Sequence, residues 1–222
     1  MKIKTNIIMA ALTSFLCLLP LVLSLVVYND LPEQVAMQWN LSGNPNWYAH
    51  KAVAAFGMPV FFFVLNVFVA LYMNNDPKRE NTSKTLRAIS DWILPVLSII
   101  VVPIILFTAM GAEIPIPVIV LVLVGIILII CGNYMPKSRQ NYSIGIKISW
   151  TLNDPENWNK THRMAGFLWV ICGISLIVIT FLPLAAAVKQ ILLLIIIALL
   201  VAAPVLYSYL LYLKKKRGEE SP

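Results

Sequence analysis

Charge is scarce in this chain of 222 residues. Only 12% of them are Asp, Glu, Lys or Arg, whereas 59% are hydrophobic. An ordinary soluble domain has about 25% charged residues, so this balance excludes that class of protein. The composition predicts an integral membrane protein.

Motifs for catalysis and for metal binding are also missing from the sequence. It contains no HExxH, no GxSxG and no phosphate-cradling glycine loop, which excludes the common zinc proteases, lipases and P-loop ATPases. The three cysteines, Cys17, Cys131 and Cys172, fall within apolar runs and show no metal-ligand spacing. We therefore expect no catalytic residues, no metal site and no cofactor.

Ionised side chains are absent from the middle of every apolar run. Carriers that couple transport to protons or ions usually need such groups within the membrane. This absence disfavours a coupled transporter, and a small-solute carrier is kept only as an alternative.

Six apolar runs are long enough to cross a bilayer, which needs about 20 residues per helix. The sequence predicts an all-α integral membrane protein with six transmembrane helices, and a single polytopic membrane domain covering residues 1–222. A short ordered outer loop (29–51) and a structured cytoplasmic segment (133–164) interrupt the helices. The predicted spans are roughly 7–28, 52–73, 90–110, 115–132, 165–183 and 189–213.

The positive charges sort to one side of these spans. Of the 17 Lys and Arg residues, all but Lys51 and Lys189 fall in the two termini or in the connections after the second and fourth spans. The positive-inside rule then puts both termini in the cytoplasm of a bacterial cell, with the protein in its cytoplasmic membrane. The net charge of +7 is explained by anionic membrane lipids as partners, without direct binding of nucleic acid.

Within the spans, two residues predict specific structural roles. Pro20 predicts a kink in the first span that neighbouring helices stabilise. Asn66 predicts a hydrogen bond between helices rather than a ligand contact. The connection 74–89 mixes bases with acids, and we expect a solvated face there.

The outer loop has a strand-like pattern. Val35, Met37 and Trp39 alternate with more polar residues, which predicts a short strand with one apolar face. A tight turn is expected at residues 42–45, because Ser, Gly, Asn and Pro follow one another there. After it, Trp47 would serve as an interfacial anchor together with its neighbour Tyr48.

The cytoplasmic segment predicts the start of the fifth helix. Asn153 or Asp154 suits the N-cap and Pro155 suits the first turn. Helical spacing then brings Trp158 and His162 onto one face, together with Ala165 and Trp169.

One group of side chains in this segment is enzyme-like. His162 with two carboxylates can perform general acid–base chemistry, and Arg163 can hold a phosphate. The two carboxylates are those of Asp154 and Glu156. An enzyme or lipid-binding protein acting at the inner membrane interface is therefore a second hypothesis. The competing interpretation is a capped helix with a structural histidine.

Two gapped motifs resemble those of the bacterial SdpI-type membrane proteins. The outer motif consists of Leu31 to Val35, Trp39, Asn40, Gly43, Pro45 and Lys51. The inner motif consists of Gly132 to Tyr134, Pro136, Lys137, Asn141, Gly145, Trp150 to Leu152, Trp158, Thr161 to Arg163 and Gly166.

This resemblance implies immunity to a secreted, membrane-active peptide toxin, the sporulation-delaying protein in the case of the family's namesake. It also implies a signalling role, in which the protein holds a cytoplasmic transcriptional repressor at the membrane. We expect the toxin to meet the outer residues Trp39, Asn40, Gly43, Trp47 and Tyr48. We expect coupling or architecture on the inner face from Asn133, Tyr134, Pro136, Trp150, Thr151, Trp158, Thr161, His162 and Arg163.

Overall fold

The computed structural model describes residues 2–218, with side chains from residue 7 onwards. Within this part of the chain, six helical stretches are long and apolar enough to cross a membrane. The prediction of a six-helix integral membrane protein is confirmed. The stretches are Ile7–Asp30, Val53–Asn74, Lys84–Ala109, Ile116–Lys137, Pro155–Phe181 and Ala186–Lys216.

These stretches contain the long helices, and two strands lie between the first and the second. The elements in chain order are α1 (Lys2–Leu16), α2 (Pro20–Val27), β1 (Gln34–Trp39), β2 (Pro45–His50), α3 (Met58–Asn74), α4 (Lys84–Ala109), α5 (Ile116–Tyr134), α6 (Ser149–Asn153), α7 (Pro155–Phe181) and α8 (Ala186–Lys216).

The chain divides into two compact units. The first holds the residues up to Asn75 together with Arg87–Pro117, and the second holds Asp76–Leu86 and the residues from Val118 onwards. The first unit contains α1 to α3, both strands and most of α4. The second contains most of α5, the polar segment before α7, and α6 to α8. A single membrane domain stays a prediction.

In the first unit, Pro20 breaks the first span as predicted. α1 ends at Leu16 and α2 begins at Pro20, with tight turns between them. The carbonyl of Cys17 lies in this break and accepts a hydrogen bond of 2.8 Å from the hydroxyl of Ser98 on α4. A neighbouring helix thus satisfies a backbone group within the break, as membrane burial requires.

The second span begins with a π-helical turn at Val53–Gly57. Pro59 follows this turn and has no N–H to offer the preceding turn. The carbonyl of Ala55 instead accepts a hydrogen bond of 2.6 Å from the hydroxyl of Ser24 on α2. A buried serine therefore joins the first two spans, at a carbonyl in the turn before the proline.

Asn66 joins the same spans at greater depth, and the predicted interhelical role is confirmed. Its side-chain amide donates to the hydroxyls of Thr13 (3.2 Å) and Ser14 (3.0 Å) on α1, and all three residues are buried. We expect Asn66→Leu to lower the free energy of unfolding in detergent by about 1 kcal/mol, because two hydroxyls lose their partner. Asn133→Leu is the matched control at an exposed position and should change it less.

The outer loop forms an antiparallel hairpin. Val35 pairs with Ala49, and an irregularity beside Gln38 shifts the register before the turn. Asn40 holds the turn, because its side-chain oxygen accepts from the backbone N–H groups of Ser42 and Asn44, both at 3.0 Å. The predicted strand and turn are confirmed.

The apolar face of β1 packs on the start of the second span. Val35 is buried against Ala54 and Ile105, and Met37 and Trp39 cover the same cluster. The hairpin is therefore a packed element of the first unit.

In the second unit, α5 and α7 touch through two pairs of glycines. A Cβ on Gly166 would lie 2.6 Å from the carbonyl oxygen of Gly132, and one on Gly173 would lie 2.7 Å from that of Gly125. The two helices are thus antiparallel, and their backbones meet at positions seven residues apart on each helix. Small residues permit such close approach between membrane helices. We call this contact the glycine seam.

Candidate functional site

Most of the inner motif lies in one structured region of the second unit. We call this region the polar cap and define it as residues 76–83 and 135–162. It brings the connection between the second and third spans together with the segment that precedes α7.

At the centre of the polar cap, His162 stacks on Trp158. The ring centroids are 3.9 Å apart, the planes differ by 19°, and both side chains are fully buried. The two residues lie one helical turn apart on α7, which brings their side chains onto one face. The predicted shared face is confirmed for this pair.

Both ring nitrogens of His162 are bonded to backbone. Nε2 accepts from the N–H of Ile146 at 2.9 Å, and Nδ1 donates to the carbonyl of Trp158 at 2.8 Å. These two bonds together require the neutral tautomer with its proton on Nδ1. The imidazole therefore fixes the loop before α6 onto α7.

Gly145 makes this contact possible. Its φ is +124°, a backbone conformation that L side chains rarely adopt. A Cβ there would overlap Nε2 of His162 and lie 3.1 Å from the ring of Trp158. The motif glycine thus lets the backbone lie directly on the stacked rings.

Trp158 is also held at its edge. Its indole N–H donates to the carbonyl of Ser138 at 2.7 Å. Asn141 shapes the same loop, because its side-chain oxygen accepts from the N–H groups of Ser143 and Ile144 while its amide donates to the carbonyl of Arg139. The buried polar groups of this loop are therefore paired within the cap.

Asp76 is a member of the cap that the sequence analysis missed. We expected a solvated face in this connection, and that expectation was wrong for Asp76, which is buried. Its carboxylate accepts from the backbone N–H of Lys78 at 2.7 Å, from that of Tyr142 at 2.9 Å and from the hydroxyl of Ser143. It therefore joins two stretches of the cap that are more than 60 residues apart in sequence.

Gln140 extends this junction. It accepts from Lys78 Nζ at 2.6 Å and donates to the carbonyls of Thr151 and Leu152 at 2.9 and 2.8 Å. Its own carbonyl accepts from the amide of Asn81 at 2.7 Å. The motif residue Thr151 is buried, and its hydroxyl donates to the carbonyl of Ile146 at 2.7 Å.

α8 is fastened to the cap side of α7. The amide of Asn157 donates to the carbonyl of Ser208 at 2.9 Å and its oxygen accepts from the hydroxyls of Ser208 and Thr161. Trp150 packs against Tyr209 and Tyr212, with ring centroids 5.0 and 6.3 Å away. Trp150 thus packs directly on the sixth span. Thr161 bonds to Asn157, which in turn bonds to that span.

The remaining inner residues lie at the edge of the cap. Pro136 packs on Gly166, and the ring of Tyr134 lies under the ammonium of Lys137 at 4.4 Å. Asn133 and Arg163 are exposed. Arg163 therefore points away from the buried Thr161 and His162 beside it in sequence.

Asp154 caps α7, as predicted. Its carboxylate accepts from the N–H groups of Glu156 (2.9 Å) and Asn157 (3.4 Å) and from Lys215 Nζ (2.8 Å). Partial burial acts to raise the pKa of the Asp154 carboxyl, but the bonds from Lys215 and the two backbone N–H groups hold it below its usual value.

This shift predicts an acid-dependent loss of stability. Because the folded-state pKa of Asp154 is depressed, its contribution is present above the unfolded pKa of about 3.9 and is lost as the pH falls through the folded pKa. We expect Asp154→Asn to weaken the fall in thermal stability below about pH 4. Thermal unfolding in detergent between neutral and acidic pH measures this, and an unchanged profile would contradict it.

The enzyme-like group does not assemble around His162. Asp154 is engaged by the helix start and by Lys215, Glu156 pairs with Lys160 at 3.1 Å, and His162 uses both nitrogens for backbone. A general base needs a nitrogen that can reach substrate. This geometry favours the structural interpretation of the histidine.

In the first unit, the predicted outer residues divide into two groups. Asn40 and Gly43, whose φ is +86°, build the turn, and Trp39 is half-buried on the apolar cluster. Trp47 and Tyr48 are 53% and 50% exposed. The hairpin therefore presents two adjacent large aromatic side chains on its second strand.

Within residues 2–218, six apolar helical stretches and the polar cap define a multi-pass membrane protein. The model of the SdpI/YfhL protein family matches residues 137–208, and that of a domain of unknown function (DUF1648) matches residues 15–63. The chain is 33% identical over 159 residues to the Immunity protein SdpI of Bacillus subtilis (strain 168), covering 71% of this chain and 74% of that protein. The chain belongs to the SdpI family. No solved structure matches it significantly.

Proposed function

We propose that this protein protects the cell that carries it from a membrane-active peptide toxin. The observation that carries the proposal is the match to an immunity protein along most of both chains. The exposed pair Trp47 and Tyr48, on a hairpin packed against the start of a span, supports it further. Trp and Tyr are among the residue types that most often contribute the largest binding energies at protein interfaces.

We further propose that the hairpin faces the outside and that the polar cap and both termini face the cytoplasm. The supporting observation is the sorting of Lys and Arg, of which only Lys51 and Lys189 fall on the hairpin side. Two contacts within the second unit join segments that this proposal assigns to the cytoplasmic face of the membrane. Asp76 contacts the 140–143 loop, and Asp154 contacts Lys215.

The direct experiment is protection of a toxin-sensitive host. The full chain is expressed in that host, which is challenged with the sporulation-delaying peptide that the family resemblance implies. Survival above the empty-vector control supports the proposal. Unchanged killing, with the protein present and folded in the membrane, contradicts it.

Variants then test the hairpin. Replacing both Trp47 and Tyr48 by Ala should lower the toxin concentration that the expressing cells survive by about ten-fold or more, because two exposed anchors are lost. Trp92→Ala is the matched control, since Trp92 is 40% exposed and lies on α4. Equal losses in the two variants would remove the hairpin from the proposed toxin surface.

A second, finer proposal is that the cap holds a cytoplasmic transcriptional repressor at the membrane when toxin is present. The observation that favours it is the exposed Arg163 beside the buried core of the cap. We expect Arg163→Ala to abolish toxin-induced transcription while survival is retained. Unchanged induction in a reporter strain would contradict this role for Arg163.

We propose no catalytic step. The supporting observation is the complete engagement of His162 by backbone groups of the cap. His162 instead fixes the loop that carries the rest of the motif.

A further inference from the structure

A cleft lies at the end of the second unit where α8 leaves the apolar span. Its volume is about 580 Å³. It is lined by Ser149, Trp150, Asn153, Asp154, Asn157, Tyr212, Lys215 and Lys216. These residues come from α6, the start of α7 and the last turns of α8, so the cleft is built by three elements of one compact unit.

The order of side chains along α8 puts the cleft at the level expected for lipid headgroups. Leu206 and Leu210 on α8 are more than half exposed, as expected for residues that face lipid tails. Two residues after Leu210 the helix carries Tyr212, and then Lys215 and Lys216. A change from exposed leucines to tyrosine and then to lysines is typical of the membrane interface.

The charge of the cleft favours an anion. The carboxylate of Asp154 is neutralised by Lys215 at 2.8 Å and by two backbone N–H groups of α7. Lys216 adds a positive charge to the lining, and Ser149 and Asn153 are exposed and carry groups that can donate hydrogen bonds. A phosphate accepts such bonds and is attracted by the ammonium group.

The aromatic wall of the cleft favours an amphipathic ligand over a free ion. Trp150 packs on Tyr209 and Tyr212, which are themselves partly exposed. Of these three rings, those of Trp150 and Tyr212 line the cleft and offer an apolar surface beside its polar groups. A phospholipid carries a phosphate and an apolar portion in one molecule, whereas inorganic phosphate would use only the polar side.

We propose that this cleft is a binding site for the phosphate headgroup of an anionic phospholipid. The lipid contacts Lys216 and the Ser149 and Asn153 side chains through its phosphate, and the aromatic wall through its glycerol and upper acyl chains. This site is distinct from the hairpin, and its occupation does not depend on protection against a toxin.

The test uses the full-length protein purified in neutral detergent. Dioctanoyl phosphatidylglycerol is titrated while bound lipid is counted by native mass spectrometry, with dioctanoyl phosphatidylcholine and inorganic phosphate as separate arms. We expect saturable binding of one phosphatidylglycerol, and weaker binding of phosphatidylcholine. Equal binding of the two lipids, or full displacement by millimolar inorganic phosphate, would overturn the proposal.

Three variants locate the site. Lys216→Gln should weaken phosphatidylglycerol binding about five-fold, the effect expected for one lysine at an anionic surface. Lys214→Gln removes the same charge from an exposed position outside the cleft lining and should leave binding unchanged. Asn153→Trp fills the cleft without changing the charge and should weaken binding at least as much as Lys216→Gln.

The variants also separate a specific site from general attraction to the basic end of α8. Equal weakening by Lys214→Gln and Lys216→Gln would show general attraction and overturn the site. Undiminished binding in Asn153→Trp would overturn it as well. Thermal unfolding of each variant without lipid confirms that it is folded.

Discussion

Replacing Gly145 by Ala should cost about 2–5 kcal/mol of the free energy of unfolding and disrupt the polar cap. The backbone at Gly145 has a φ of +124°, and the added Cβ would overlap Nε2 of His162 and lie 3.1 Å from Trp158. Both rings are fully buried and bonded to backbone, so neither can move away without losing a hydrogen bond.

Gly43→Ala is the matched control for this prediction. Gly43 also has a positive φ, of +86°, but a Cβ there would meet nothing within 4 Å. Gly43→Ala should therefore lower the free energy of unfolding only by the backbone strain, about 1–2 kcal/mol. Thermal or denaturant unfolding in detergent measures both variants, and equal costs would refute the role of the steric overlap.

A double substitution sharpens the test. In a His162→Ala background the overlap with the imidazole is gone, although the contact with Trp158 remains. The cost of Gly145→Ala should therefore be smaller in that background than in the native chain. Additive costs would show that the two residues do not interact.

The second large effect is expected at the glycine seam. Gly166→Ala places a Cβ 2.6 Å from the carbonyl of Gly132, and Gly173→Ala places one 2.7 Å from that of Gly125. These neighbours are backbone atoms of α5, so the helices must separate. We expect each variant to lose about 1–3 kcal/mol of unfolding free energy.

Gly57→Ala provides the comparison for the glycine seam. The nearest atom to a Cβ at Gly57 is a side-chain carbon of Val53 at 3.5 Å, an ordinary contact. Because Ala favours helix over Gly, this variant should be neutral or gain up to about 1 kcal/mol. Steric trapping or SDS titration can rank the three variants. A Gly173→Ala protein as stable as Gly57→Ala would contradict close contact between α5 and α7.

Local signals were sufficient for much of the fold. Asp154 before Pro155 marks a helix start, because its side chain bonds to N–H groups within the next three residues. The N-cap of α7 forms as predicted. The alternation of Val35, Met37 and Trp39 likewise marked a strand, because one face of that strand packs on a span. The second strand was missed, because most residues of Pro45–His50 are exposed and show no alternation.

Long-range contacts could not be predicted in the same way. Asp76 looks like an ordinary turn residue beside Pro77, and its partners Tyr142 and Ser143 are more than 60 residues away. The sequence left an enzyme hypothesis open for His162, because no sequence pattern shows that the backbone N–H of Ile146 bonds to its ring. The glycine seam did leave a signal, the seven-residue spacing of glycines in both helices, which the sequence analysis did not use.

A toxin surface on the hairpin requires above all that the hairpin and the polar cap face opposite sides of the membrane as proposed. Ser42, in the hairpin turn, and Ser149, at the start of α6 beside the polar cap, are both exposed serines, so Ser42→Cys and Ser149→Cys form a matched pair. Each is made in a chain whose three native cysteines are replaced, and intact cells are treated with a membrane-impermeant maleimide. We predict labelling at position 42 in intact cells and at position 149 only after the membrane is opened. Labelling at position 149 but not at position 42 in intact cells would contradict the proposed orientation and, with it, a toxin surface on the hairpin.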